Sequence, residues 1–175
     1  MQATILDFFM DNQNFAIILI VVLIERLKNY TSGNMIGVWI ANFIGTFFHE
    51  LAHLATSILT FGRPVKISLF PKKQENGYVL GYVESNNITW YNALPISLAP
   101  LMLIPAAFYF KEYFFTFVDK NLYTYFLEVF ITATLLENAI PSSQDFKVAF
   151  SNVGFIIYIA IGLLYFYYYK GFTVW

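Results

Sequence analysis

The chain has only two histidines, and both lie in one pentad, His49-Glu50-Leu51-Ala52-His53. On a helix, positions i and i+4 share a face, so both imidazoles can reach one metal ion. Glu50 follows the first ligand and can reach a water held at that ion, where a carboxylate serves as general base. Zinc-dependent hydrolysis is the chemistry that this spacing serves. The pentad lies inside an apolar stretch from Met35 to Phe61, so the reaction is expected within or near a lipid bilayer.

Two histidines leave a catalytic zinc one ligand short, because such sites hold three protein ligands and keep the fourth position for water. The chain has no cysteine, so the third ligand must be a carboxylate. Glu128, Glu137 and Asp145 lie within or beside the apolar segments, with Glu112 and Asp119 in a loop. Asp145 closes Asn138-Ala139-Ile140-Pro141-Ser142-Ser143-Gln144-Asp145, a broken stretch at a helix terminus from which a side chain can turn inward. Ser142-x-x-Asp145 equally spells a capping box for the following helix. On sequence alone, Asp145 is open to both roles.

The bland alternative for the pentad is polar glue between membrane helices. His49 lies roughly 20 Å from either end of its apolar stretch at 1.5 Å per residue. A charged group near the bilayer centre costs about 2.5–3.5 kcal/mol on the mildest scale. A metal ion and a water-filled cavity offset that cost directly, which favours the site over the glue.

The rest of the chain must supply a frame in lipid. Hydrophobic residues make up 58% and charged residues 12%, against about 25% charged in a soluble domain. A net charge of −1 leaves no electrostatic footprint for nucleic acid. Five apolar segments are expected as membrane helices: Asn14 to Leu27, Met35 to Phe61, Ala93 to Phe110, Leu122 to Ile140 and Phe146 to Tyr169. The first is short and lacks the basic flank and cleavage site of a signal peptide, so it is expected to remain as an extra N-terminal helix. The third holds Pro95, Pro100 and Pro105 and should be kinked or partly unwound. Trp90-Tyr91 and the cluster Tyr165 to Tyr169 read as interfacial belts.

Between the second and third segments, Val65 to Leu69 and Tyr78 to Val83 read as strands. Glu75-Asn76-Gly77 supplies the turn between them. A small hairpin at the membrane surface is expected. The predicted fold is an all-α polytopic membrane protein of about five helices with that hairpin, in a single domain over residues 1–175. The ten lysines and arginines divide five against five across the two faces, so charge bias gives no orientation.

At these residues the chain resembles the site-2 proteases, the intramembrane zinc metalloproteases. Their distal motif is an asparagine, one or two prolines and an aspartate followed by glycine. Asn138, Pro141 and Asp145 match it, while Gln144 and Phe146 replace the usual flanking residues. Ala99-Pro100-Leu101 is similar to the family's Gly-Pro, and Val65 to Val83 stands where the family carries its membrane-associated hairpin. The resemblance covers Met35 to Phe155 and leaves Met1 to Tyr30 unexplained. It implies one Zn²⁺ held by His49, His53 and Asp145, with Glu50 as the catalytic base and Asn138 near the substrate. It implies a multi-pass protein of a prokaryotic cell membrane, with the hairpin side cytosolic and a transmembrane protein or peptide as substrate. No segment is large enough for the regulatory PDZ module of longer members.

Two further readings stand beside this one. A membrane zincin similar to the prenyl-protein proteases would use Glu128 or Glu137 as third ligand. A non-catalytic adaptor, chaperone or immunity protein would use the pentad for metal binding or for packing alone.

Overall fold

The computed structural model describes residues 8–9, 11–31, 33–74 and 77–172. Seven α-helices and four short strands occur among them: α1 Gln13–Thr31, α2 Met35–Leu59, β1 Pro64–Ser68, β2 Lys72–Gln74, β3 Gly77–Val79, β4 Tyr82–Ser85, α3 Ala93–Ser97, α4 Leu103–Phe117, α5 Leu122–Glu137, α6 Ser143–Ser151 and α7 Gly154–Phe172. A 3-10 turn over Ala99–Met102 joins α3 to α4.

Helix α2 is the frame of the site. Its 25 residues extend about 37 Å, beyond the roughly 30 Å of a hydrocarbon core. Among the described residues it is the one helix long and apolar enough to cross a membrane by itself. Asn34 starts it, its side chain accepting from the Ile36 amide at 3.0 Å. At the far end the Gly62 amide bonds Ser57 O at 2.7 Å, while Phe61 takes the left-handed conformation (φ 57°) that glycine usually holds there. Gly62 is needed for space instead, since a Cβ would fall 2.5 Å from Ser57 Oγ and 2.8 Å from Ile96 Cδ1.

The buried stripe of α2 runs through Asn42, Gly45, Thr46, Glu50, His53 and Ser57. These positions recur every three to four residues on one face, and all are small or polar. Ile36, Ile40, Phe43, Phe47, Leu51 and Ile58 point outward, exposed. Helix α5 repeats the inversion, with Glu128, Thr132 and Thr134 buried and Phe126, Leu127 and Phe130 exposed. Buried polar residues beneath exposed apolar ones on these faces run against the order that water imposes on a soluble domain, while Val38, Tyr125, Val129, Ala133 and Leu135 are buried beside them.

Helix α5 packs between α1 and α4 and also touches α2. Two apolar cores hold it. Ala16 and Ile17 of α1 meet Tyr125, Val129 and Ala133, and Leu103 and Ala107 of α4 meet Leu135 and Ala139. The alanines let the backbones approach closely. Asn121 caps the helix, accepting from the Tyr123 amide at 2.9 Å and the Thr124 amide at 3.1 Å.

The prolines break the third segment as expected, into α3, the 3-10 turn and α4. The fifth segment differs from expectation. It is not one helix but two, α6 and α7, bent by 76° at residues 152–153. Close packing at the bend requires glycine, because a Cβ on Gly154 would fall 1.6 Å from Trp90 O. The Tyr158 hydroxyl then ties α7 to Tyr91 O at 2.6 Å.

The expected small hairpin is present, but its strands divide differently. Tyr78 to Val83 is not one strand: β3 pairs with β2 and β4 with β1, interrupted at residues 80–81. Of the expected turn, Glu75 and Asn76 lie outside the described residues. Nor does the hairpin stop at the end of α2. Ser85 Oγ meets Ser57 Oγ at 2.7 Å, Gly81 lies against Thr46 and Glu50, and Leu69 O accepts from Trp39 Nε1 at 3.1 Å. These anchors span about 27 Å of helix at 1.5 Å per residue. On its outer face the Lys72 ammonium donates to Tyr82 Oη at 2.8 Å. That bond, with Lys66 near the same ring, holds the phenol below its ordinary pKa range.

Candidate metal centre

His49 and His53 project from α2 onto one point, with their Nε2 atoms 3.3 Å apart. Each ring is held from behind. His49 Nδ1 donates to Asn138 O at 2.8 Å and His53 Nδ1 donates to Ile96 O at 2.7 Å. Carbonyls only accept, so the proton of each neutral imidazole sits on Nδ1 and both Nε2 lone pairs are bare.

Proline keeps the usual helical amide from both carbonyls, although Ile96 O also meets the Leu98 amide. In a continuous helix Ile96 O would accept from residue 100, but Pro100 has no N–H to donate. Asn138 O stands at the end of α5. Pro141, three residues on, has no N–H either, and the Ser142 amide is taken by Asp145 Oδ2 at 2.7 Å. The two breaks in the chain thus supply the acceptors that fix the two rings.

Asp145 lies in the cluster and also forms the capping box that the sequence offered. As the third residue of α6 it forms the capping box, its own amide bonding Ser142 Oγ at 3.2 Å. Its carboxylate also faces the histidines, Oδ1 lying 3.3 Å from His53 Nε2 and Oδ2 3.5 Å from His49 Nε2. The positive end of α6 favours the ionised form there. The ligand atoms of His49, His53 and Asp145 all lie within 4.8 Å of one another.

This set fits a divalent cation. Two bare nitrogens and a carboxylate are all acceptors, and acceptors brought this close repel unless a cation or proton lies between them. Bonds of about 2.0–2.1 Å at a tetrahedral angle set ligand atoms roughly 3.3 Å apart, which matches the observed 3.3 and 3.5 Å separations. Two imidazoles and one carboxylate are a known catalytic zinc donor set that leaves a fourth position open.

Glu50 is 5% exposed and lies beside the cluster, close enough to act electrostatically on both histidines. The chain passes over it at Gly81, between β3 and β4, where a Cβ would fall 2.6 Å from Thr46 Cγ2, 2.8 Å from Glu50 Cγ and 3.0 Å from Glu50 Oε1. Asn138 lies behind His49, with Nδ2 donating to Thr134 O at 2.9 Å and to Glu137. Its amide occupies the space left by Gly45, where a Cβ would fall 2.1 Å from Nδ2.

The other carboxylates are engaged elsewhere. Glu128 accepts from Gln13 and, at 3.1 Å, from Thr132 Oγ1. Glu137 accepts from Lys28 and Asn138. Neither joins the cluster of His49, His53 and Asp145.

No protein-family model matches the chain, and searches of curated proteins and of solved structures return no match.

Several residues of the site escaped sequence reasoning. Gly81 interrupts an alternating strand pattern, a signal of close backbone approach. Gly45 lies one helical turn before His49, on the face that must admit a neighbour. The part of Ile96 carries no side-chain signal, because its carbonyl does the work.

Proposed function

We propose that this chain is a zinc-dependent intramembrane endopeptidase of the site-2 protease type, cutting a transmembrane or membrane-proximal segment of a protein or peptide. One observation carries the reading: two imidazoles with bare Nε2 atoms and one carboxylate converge within a polar stripe of α2, with Glu50 beside them. The outward faces of α1, α2, α5 and α7 carry exposed Leu23, Ile40, Phe130 and Leu163, which supports a multi-pass membrane location. By the resemblance, that membrane belongs to a prokaryotic cell.

His49, His53 and Asp145 would hold the zinc. When bound, the ion supplies a Lewis acid that lowers the pKa of water and polarises a carbonyl. The carbonyls of Asn138 and Ile96 keep both rings in the ligating tautomer and orientation, as metal-binding histidines require. Glu50 takes the proton from the attacking water and delivers it to the leaving nitrogen. Burial around Glu50 excludes bulk water from that transfer.

A substrate helix cannot be cut while its carbonyls are held in the i to i−4 ladder, so the substrate must be extended at the site. The hairpin passes Glu50 at Gly81, and an extended segment would add by backbone bonds to the neighbouring β4, Tyr82–Ser85. Asn138 stands close behind His49, where the resemblance puts a residue near the substrate.

The experiment is a paired measurement on the purified full-length protein. Zinc content is determined for wild type, His49→Ala, His53→Ala, Asp145→Ala and Glu50→Gln. Each protein is then reconstituted in liposomes with a panel of single-span model helices, and the products are read by mass spectrometry. Wild type should carry one zinc and cut. Glu50→Gln should carry one zinc and release no product. A wild type without zinc, or a Glu50→Gln that cuts at the wild-type rate, overturns the reading.

A further inference from the structure

Helix α1 lies outside the region of resemblance, yet it sends a charge towards the metal centre. Lys28, in its last turn, pairs with Glu137 at the end of α5. The other oxygen of Glu137 accepts from Asn138 Nδ2, and Asn138 O accepts from His49 Nδ1 at 2.8 Å. Side-chain exposure of Lys28 and Glu137 is 14% and 11%. Glu25, one turn earlier on α1, also reaches Glu137.

Withdrawing a lysine and a glutamate from water costs several kcal/mol per ion, and the pair repays this only with good geometry and further hydrogen bonds. An apolar pair in the same place would bind α1 to α5 as well or better. An ammonium offers donors only and an amide such as Asn138 needs an acceptor, so the carboxylate between them is held in one orientation by both.

We propose that Lys28 and Glu137 are positioning residues for the zinc ligand His49, acting through Asn138 and making the N-terminal helix α1 part of the metal centre. The inference rests on the reading of His49, His53 and Asp145 as zinc ligands. Lys28 neutralises Glu137 and keeps its carboxylate turned to the Asn138 amide. Asn138 is then clamped from three sides, by Glu137, by Thr134 O and by the space over Gly45. Its carbonyl stays aimed at Nδ1, and His49 keeps Nε2 towards the ion. Loss of an outer partner of a ligating histidine typically weakens metal affinity about 10–100-fold.

The test is zinc affinity and the cobalt(II) absorption spectrum of full-length protein in detergent, with Tm measured in parallel. Glu137→Gln and Lys28→Met should each weaken zinc binding by about 10-fold or more and shift the cobalt bands. Lys28→Arg should keep both within about 3-fold of wild type, because its charge and donors remain. The reversed pair, Lys28→Glu with Glu137→Lys, separates positioning from packing: it restores an ion pair but leaves Asn138 Nδ2 facing a donor. It should regain Tm while its zinc affinity stays weak. Wild-type affinity and spectrum in Glu137→Gln and Lys28→Met overturn the proposal, as does a reversed pair that regains affinity together with Tm. If wild type itself binds no zinc, the proposed function fails and this inference fails with it. If wild type binds and the single variants bind equally well, only the positioning role falls.

Discussion

The Gly81 backbone lies so close to Glu50 that a methyl group added to Gly81 would come within 3.0 Å of Oε1. The link between β3 and β4 is therefore the roof of the proposed base, held close to α2 by the missing side chain. Gly81→Ala should keep wild-type zinc content, because no ligand is touched, while the turnover of any cleaved helix falls at least about 10-fold. Overpacking of this kind costs roughly 1–3 kcal/mol, which a Tm measurement reads independently. Unchanged turnover in Gly81→Ala would separate the link from the chemistry.

Pro100 acts through what it lacks. Pro100→Ala restores an amide that can claim Ile96 O and so competes with His53 Nδ1 for the same carbonyl. Zinc affinity should fall by about 10-fold or more, although Pro100 touches no ligand and alanine is the better helix former. The measurement is zinc competition against a chelating dye, with wild-type affinity as the refuting outcome.

Asp145 serves two ends, and two substitutions divide them. Ser142→Ala removes the side-chain half of the capping box, which costs about 1 kcal/mol, and should leave one zinc bound. Asp145→Ala should empty the site and lower Tm further, because the stabilisation from bound zinc is lost together with half of the cap. A Ser142→Ala protein without zinc would mean that the cap, and not the carboxylate, holds the cluster together.

Metal removal gives a further check that needs no substrate. A ligand present at 100 times its Kd stabilises the folded state by about 2.7 kcal/mol. Wild type should therefore lose Tm on addition of a strong chelator and regain it with zinc. His53→Ala should show neither change. Equal chelator responses in the two proteins would place the stabilising metal elsewhere.

How much could be read in advance followed the range of each interaction. The pentad was legible because both rings and the base lie within one turn of one helix. The capping box at Ser142 and Asp145 was legible for the same reason, being local. That the carboxylate also reaches His49 and His53 depends on the packing of α6 against α3, which no local pattern encodes. The bend before α7 was missed because apolar periodicity runs through residues 152–153 without a proline, and the close contact there is between Gly154 and the distant Trp90. The hairpin was found by its alternation, but its contacts along α2 were not, since Ser57, Trp39 and Gly81 advertise nothing about one another. Lys28 and Glu137 each looked like an unremarkable charge at a helix end, and their meeting belongs to the tertiary fold.

The donor set also has a consequence in time. The imidazoles leave the ribosome early, whereas the carboxylate belongs to a helix made much later. On the proposed reading, a nascent polypeptide lacks its third donor for most of its synthesis and would gain the ion only once the acid docks.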